Sequence, residues 1–179
     1  QNGETKEIVK QEGTLDIEKL KRQPELGNIG ELAALRHKLA LAKLPQCVSH
    51  IETLLESVHK IVIFAYHRKV CEELSTELFN YNPQLVMGGT SMIKKQQAVD
   101  NFQKDKDARV FIGQINSAGA GLTLTAASTV VFVETTWTPG EIHQAIDRCH
   151  RIGQKDTVLA QFLVVENSLD ETMLKTIFD

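Results

Sequence analysis

The residues Ile61-Val62-Ile63-Phe64-Ala65 form an unbroken apolar run. So short a run, apolar at every position of a two-residue period, suits a strand covered on both faces. Strands of that kind belong to parallel sheets, whose crossover connections are usually helices. The remaining chain repeats the pattern. Val70, Leu74 and Leu78 mark a helix, and Gln84-Leu85-Val86-Met87 a second strand. The turn Gly88-Gly89-Thr90-Ser91 leads into a helix carrying Ile93, Val99 and Phe102. Val110 to Gly113, Val130 to Val133 and Val158 to Val165 supply three further strands. The expected fold class is therefore α/β, a mostly parallel sheet with helices on both faces.

Ahead of the first strand the period is helical. Asn28 and Glu31 resemble a capping box, followed by Leu32, Leu35 and Leu39 at helix spacing. Pro45 fits the first turn of a second helix striped by Val48, Ile51, Leu55 and Val58. Residues 1–27, rich in Lys, Glu, Gln and Gly, read as a connector with no assigned function.

Composition sets outer limits. A length of 179 residues with 42% hydrophobic content suits one main domain. No apolar run approaches the roughly 20 residues that span a bilayer, so no membrane partner is expected. Cys47, Cys71 and Cys149 include no Cys-x-x-Cys pair and fit an intracellular, reducing compartment. The net charge of −3 gives no basic excess to argue for nucleic acid. A start at Gln1 and an end just after an apolar helical stretch suggest a piece of a longer polypeptide.

In open α/β sheets ligands sit at the carboxyl ends of the strands. The loop after the fourth strand ends in Trp137-Thr138-Pro139-Gly140-Glu141. Thr138 is expected as N-cap, Pro139 as the first helical residue and Glu141 as the returning capping-box partner. Projected at about 100° per residue, Ile142, Ala145, Ile146 and Cys149 share one side, and Gln144, Arg148 and Arg151 the opposite side. That polar side is either a solvated face, with Asp147 pairing Arg151, or a site. A metal site of His143, Cys149 and His150, with or without Cys71, is a poor alternative, because Cys149 belongs to the apolar face.

The segment Gln144-Ala145-Ile146-Asp147-Arg148-Cys149-His150-Arg151-Ile152-Gly153-Gln154 resembles the Gln-Ala-x-Asp-Arg-x-His-Arg-Ile-Gly-Gln block of Swi/Snf-type ATPases of helicase superfamily two. The resemblance extends from about residue 40 to the end and covers the second of the family's two motor lobes. It implies a RecA-like lobe at 60–179, with 28–59 a helical lead-in from a first lobe. It also implies that Arg148 and Arg151 reach the γ-phosphate of ATP as catalytic arginine fingers, with Gln144 coupling the lobes near the phosphates or the acidic motif opposite. Phosphoryl transfer spreads negative charge over equatorial oxygens, which a planar guanidinium can stabilise and a lysine matches poorly.

Other segments carry the resemblance with departures. Gln114 to Leu124 is similar to the family's Thr-Arg-Ala-Gly-Gly-Leu-Gly-Ile-Asn-Leu motif, which assigns Gly119, Gly121 and Thr123 to ATP and Ser117 to DNA. Asn116 stands where arginine is usual, and Thr123 where asparagine is usual. Gly88-Gly89-Thr90-Ser91 resembles Asp-Gly-Ser-Thr, implying phosphate contacts of DNA at Gly89, Thr90 and Ser91. Here Gly88 replaces the aspartate, and Gln96 takes an arginine position; Lys94 and Lys95 are either phosphate contacts or solvated surface. Ile63 to His67 matches the family's opening strand and DNA-bordering loop, placing His67 on the DNA track. Trp137 takes the place of the tryptophan in Trp-Asn-Pro, as a DNA-facing prop or a packing anchor.

The sequence contains no Gly-Lys-Thr or Gly-Lys-Ser phosphate loop and no Asp-Glu-x-His motif. The lobe alone is therefore expected to be inactive, with ATP and Mg2+ held mainly by the first lobe of the same polypeptide. The expected function is the second motor lobe of an ATP-dependent translocase on double-stranded or branched DNA. Its location would be the nucleus in a eukaryote and the cytoplasm in a bacterium or virus. The lobe resembles the small annealing-helicase-like and bacterial or viral members more than large nucleosome remodellers. The alternatives are a non-catalytic DNA- or protein-binding module that kept the fold, and an α/β protein binding a small phosphorylated ligand.

Overall fold

In the computed structural model, which describes residues 29–117 and 121–179, β1 (Ile61–Ala65) is buried along its whole length. It lies at the centre of a five-stranded sheet of order β2-β3-β1-β4-β5, every pairing parallel. The other strands are β2 (Gln84–Val86), β3 (Val110–Gln114), β4 (Thr129–Phe132) and β5 (Leu159–Phe162). All five expected strands are present, the fifth shorter than the apolar run Val158 to Val165. The fold is the expected RecA-like α/β sheet.

The two faces of the sheet explain the unbroken apolar runs. Val62 and Phe64 join Phe111, Val130 and Phe132 in one core cluster. It is covered by Val99 and Phe102 of α3 (Met92–Lys104), Ile142 and Ala145 of α4 (Pro139–Asp147), and Leu174 of α5 (Leu169–Phe178). Ile61, Ile63 and Ala65 face the other way, under α1 (Ile29–Ser57) and α2 (Arg68–Glu77). Gly113, paired with Phe64, makes room for its ring: a Cβ there would stand 2.9 Å from Phe64 Cε1.

The expected pair of helices before β1 is a single helix of 29 residues, α1, with Pro45 inside it. An interior proline removes a hydrogen bond and crowds the carbonyl four residues earlier, at a cost of about 3 kcal/mol. Burial offsets that cost: Leu39, Ala40, Leu44, Cys47, Val48, Ile51 and Leu55 form one stripe running past Pro45, which itself faces solvent. The C-terminal carbonyls of α1 are capped from β3's side, where Arg109 donates to Leu55 O, Val58 O and His59 O. The Asn28 cap and the connector at 1–27 lie outside the described residues.

Two local expectations fail. Ile93, expected on the buried side of α3, is 73% exposed, because the inward positions of that helix are Ala98, Val99 and Phe102. At α4, Thr138 is the N-cap and Pro139 the first residue, yet Thr138 makes no side-chain cap bond. The Glu141 carboxylate instead accepts from Thr136 Oγ1 at 2.6 Å, two residues ahead of the N-cap, so no reciprocal capping box forms. Among the described residues no helix is long and apolar enough to cross a membrane.

Candidate functional site

The carboxyl ends of β1, β2, β3 and β4 bring four loops to one edge of the sheet, where the sequence placed its candidate residues. Around β1 and β4 the organiser is Glu134, a residue the motif reading passed over. Its carboxylate accepts from Tyr66 N at 3.1 Å, His67 N at 2.9 Å and the His67 ring Nδ1 at 2.6 Å. Burial alone would raise the Glu134 carboxyl; these hydrogen bonds, with the charges of His67 and Lys43, outweigh it and hold the group below its ordinary range. His67 also stacks on His37, ring centroids 4.5 Å apart. Arg36 donates to Thr135 O, with its guanidinium 3.8 Å from the centre of the Tyr66 ring. Helix α1 thus clamps the loop that carries His67.

Between β2 and β3 the organiser is Gln114, also passed over. Its Oε1 accepts from Gly88 N at 2.9 Å and Ser117 Oγ at 3.3 Å, and its Nε2 donates to Tyr66 O at 3.0 Å. In the β2 loop, the Thr90 hydroxyl accepts from Met87 N at 3.1 Å, while Gly89 is exposed. Ser91 caps α3, its Oγ accepting from Lys94 N. Gln96, in the usual arginine position, bonds Asp100 along the helix. Trp137, at 42% exposure, stands at the rim.

The arginine segment departs from the helical projection. Helix α4 stops at Asp147, with Arg148 as its C-cap, so Gln144, Arg148 and Arg151 do not share one exposed face. Gln144 is exposed, Arg148 is only 7% exposed and Arg151 is half-buried. Arg148 O accepts from Leu124 N at 2.8 Å, joining this turn to the loop between β3 and β4. Gln154 strengthens the junction: its Nε2 donates to Cys149 O, Thr125 O and Ala127 O. Arg151, instead of pairing with Asp147, turns its Nη1 to Gly121 O and Thr123 Oγ1, each at 3.3 Å. Two motifs 30 positions apart in sequence therefore meet. Gly119 lies outside the described residues.

Electrostatically this corner is prepared for an anion. Arg148 Nε is buried without a hydrogen-bond partner. Burial, and after it the neighbouring charge of Arg151, lowers the Arg148 pKa, with Asp147 opposing. Two neighbouring guanidinium groups, one with an orphaned donor, are chemically able to receive an anionic ligand. A metal is a different matter: among the described residues no three His, Cys, Asp or Glu side chains are placed to hold one. Cys149 is fully buried while His143 and His150 are exposed, so that rival grouping does not converge.

Comparison with known proteins identifies the family and the fold. Residues 42–153 match the family "Helicase conserved C-terminal domain". The chain is 36% identical over 163 residues to the human DNA annealing helicase and endonuclease ZRANB3, covering 87% of this chain and 15% of that protein. It is 32% identical over 174 residues to the Drosophila melanogaster SWI/SNF-related matrix-associated actin-dependent regulator of chromatin subfamily A-like protein 1, covering 95% of this chain and 22% of that protein. Among solved structures, the C-terminal part of the Fun30 ATPase domain superposes with a TM-score of 0.67 at 27% identity, over 72% of this chain and 44% of that one. The Sulfolobus solfataricus SWI2/SNF2 ATPase core in complex with dsDNA shares the fold, with a TM-score of 0.69 at 22% identity over 96% and 43% of the two chains. The chain belongs to the helicase C-terminal domain family, as a Swi/Snf-type lobe of superfamily two. It spans less than a quarter of the length of these two curated relatives.

Proposed function

We propose that this lobe is the second motor lobe of an ATP-dependent double-stranded-DNA translocase, and that Arg148 and Arg151 are its arginine fingers. The observation that carries the reading is the pair of unneutralised guanidinium groups at the carboxyl edge, one buried with an orphaned Nε. ATP supplies the γ-phosphoryl group and, with Mg2+ held mainly by a first lobe, the driving force for movement. Arg148 and Arg151 stabilise charge on the equatorial oxygens, a task for which the forked guanidinium is suited and lysine is not. Gly119, Gly121, Thr123 and Gln144 border the nucleotide. The bonds of Arg151 to Gly121 and Thr123 hold its head against that loop.

DNA runs along the other loops in this proposal, touching His67, Gly89, Thr90, Ser91, Ser117 and Trp137. Exposed backbone at the start of α3 offers N–H groups and a helix dipole to phosphate, which compensates for the chain's lack of basic excess. The curated relatives, an annealing helicase and a chromatin regulator among them, favour an intracellular role, nuclear in a eukaryote.

The test is DNA-stimulated ATP hydrolysis by the complete polypeptide. Arg148→Ala and Arg151→Ala are each expected to lower turnover on the order of 10³-fold with nucleotide binding retained. Full turnover with either substitution would remove the arginine-finger reading. Absence of ATPase in the native polypeptide would favour a binding module.

A further inference from the structure

We infer that Gln114 is a positioning residue that couples the β2 loop to the start of the β3 loop on the DNA side; the inference rests on the functional reading above. Gln114 closes β3, with β1 paired on one side and β2 on the other. Its carboxamide uses both ends. Oε1 receives Gly88 N from the β2 loop and Ser117 Oγ from the β3 loop, while Nε2 reaches Tyr66 O in the β1 loop. Its own carbonyl accepts from Ser117 N at 2.9 Å, so Ser117 is attached to this residue twice.

Gly88 is shaped around that bond. A Cβ at this position would stand 3.2 Å from Ser117 Oγ and 3.5 Å from Gln114 Oε1. A side chain here would press Ser117 Oγ aside by a few tenths of an ångström. Gly88 O in turn accepts from Arg68 Nη1 at 2.8 Å, so both polar groups of its peptide backbone are held. Gly89, Thr90 and Ser91, the proposed phosphate contacts, follow Gly88 immediately. Gly88 of the β2 loop and Ser117 of the β3 loop therefore share one acceptor, Gln114 Oε1. Leucine at this position can make none of the three side-chain bonds; glutamate keeps the acceptor and loses the donor to Tyr66 O.

The experiment compares native complete polypeptide with Gln114→Leu and Gln114→Glu. It measures ATP hydrolysis with and without duplex DNA, and amide hydrogen exchange at Gly88 to Ser91. Gln114→Leu is expected to keep the basal rate and the KM for ATP, to reduce DNA stimulation about tenfold, and to speed exchange at Gly88. Gln114→Glu is expected to recover part of the stimulation, because it can still receive Gly88 N. Equal proportional loss of basal and stimulated rates would overturn the coupling role, as would native-like stimulation in Gln114→Leu. A native polypeptide without DNA stimulation removes the motor reading itself, whereas native stimulation unaffected by Gln114→Leu removes only the role of Gln114.

Discussion

Lys43 and Arg148 are both nearly sealed from water, at 2% and 7% exposure, and the fold treats them in opposite ways. Lys43 projects from α1 to Asp170 Oδ2 at 2.6 Å and Leu163 O at 2.8 Å. Burial alone would lower its pKa, but Asp170 prevails and raises it. Arg148 makes no ion pair within bonding distance among the described residues, has an orphaned Nε, and has a pKa lowered by burial and by Arg151 against the weaker pull of Asp147. A buried charge without a partner is costly. One region therefore uses a cation to fasten a helix, while the other holds a cation with an unpartnered donor, the feature on which the proposed arginine-finger role rests.

The largest effect that separates them is catalytic. Arg148→Ala should remove about 10³-fold of DNA-stimulated turnover, roughly 4 kcal/mol of barrier, without lowering the melting temperature. A matching loss of stability would make Arg148 a structural cation like Lys43. Next comes Asp170→Ala, which strands the Lys43 charge and should destabilise the lobe by about 3 kcal/mol in urea unfolding. Replacing both partners with apolar residues, Lys43→Met with Asp170→Leu, should restore much of that loss.

A smaller change runs the other way: Arg148→Met should leave unfolding stability equal to or above native, since it deletes a buried donor that has no hydrogen-bond partner. Lower stability in that variant would mean that the guanidinium contributes packing the comparison ignores. The smallest effect is a pH slope at Glu134. Its folded pKa lies below the ordinary 4.5, so its contribution is complete above that value and is lost as pH falls through the lower folded pKa. Glu134→Gln should flatten the acid limb of a melting-temperature profile below about pH 5, and an unchanged limb would remove Glu134 as its source.

The sheet was legible because its signal is local. Each β1 residue is apolar because both faces are covered, and that requirement appears in five consecutive letters. Pro45 misled because its local rule is sound, while the stripe on either side continues in phase and packing outweighs the rule. The arginine segment was legible as wording but not as geometry: α4 ends at Asp147, so a projection at helical spacing fails from Arg148 onward. Gln114 and Glu134 gave no signal at all. Their partners lie 26, 48, 67 and 68 positions away, and a single glutamine or glutamate at a strand end looks like solvated surface.

The amino-acid sequence by itself determined the α/β class, the strand positions and the motif that marks a Swi/Snf-type lobe, since each is written in neighbouring residues. Only the tertiary structure decided which cations are neutralised, which turn brings Arg151 to Thr123, and which side chains tie the loops together. Those outcomes depend on charges and hydrogen-bond partners that are distant along the chain and are brought within a few ångströms when the sheet assembles.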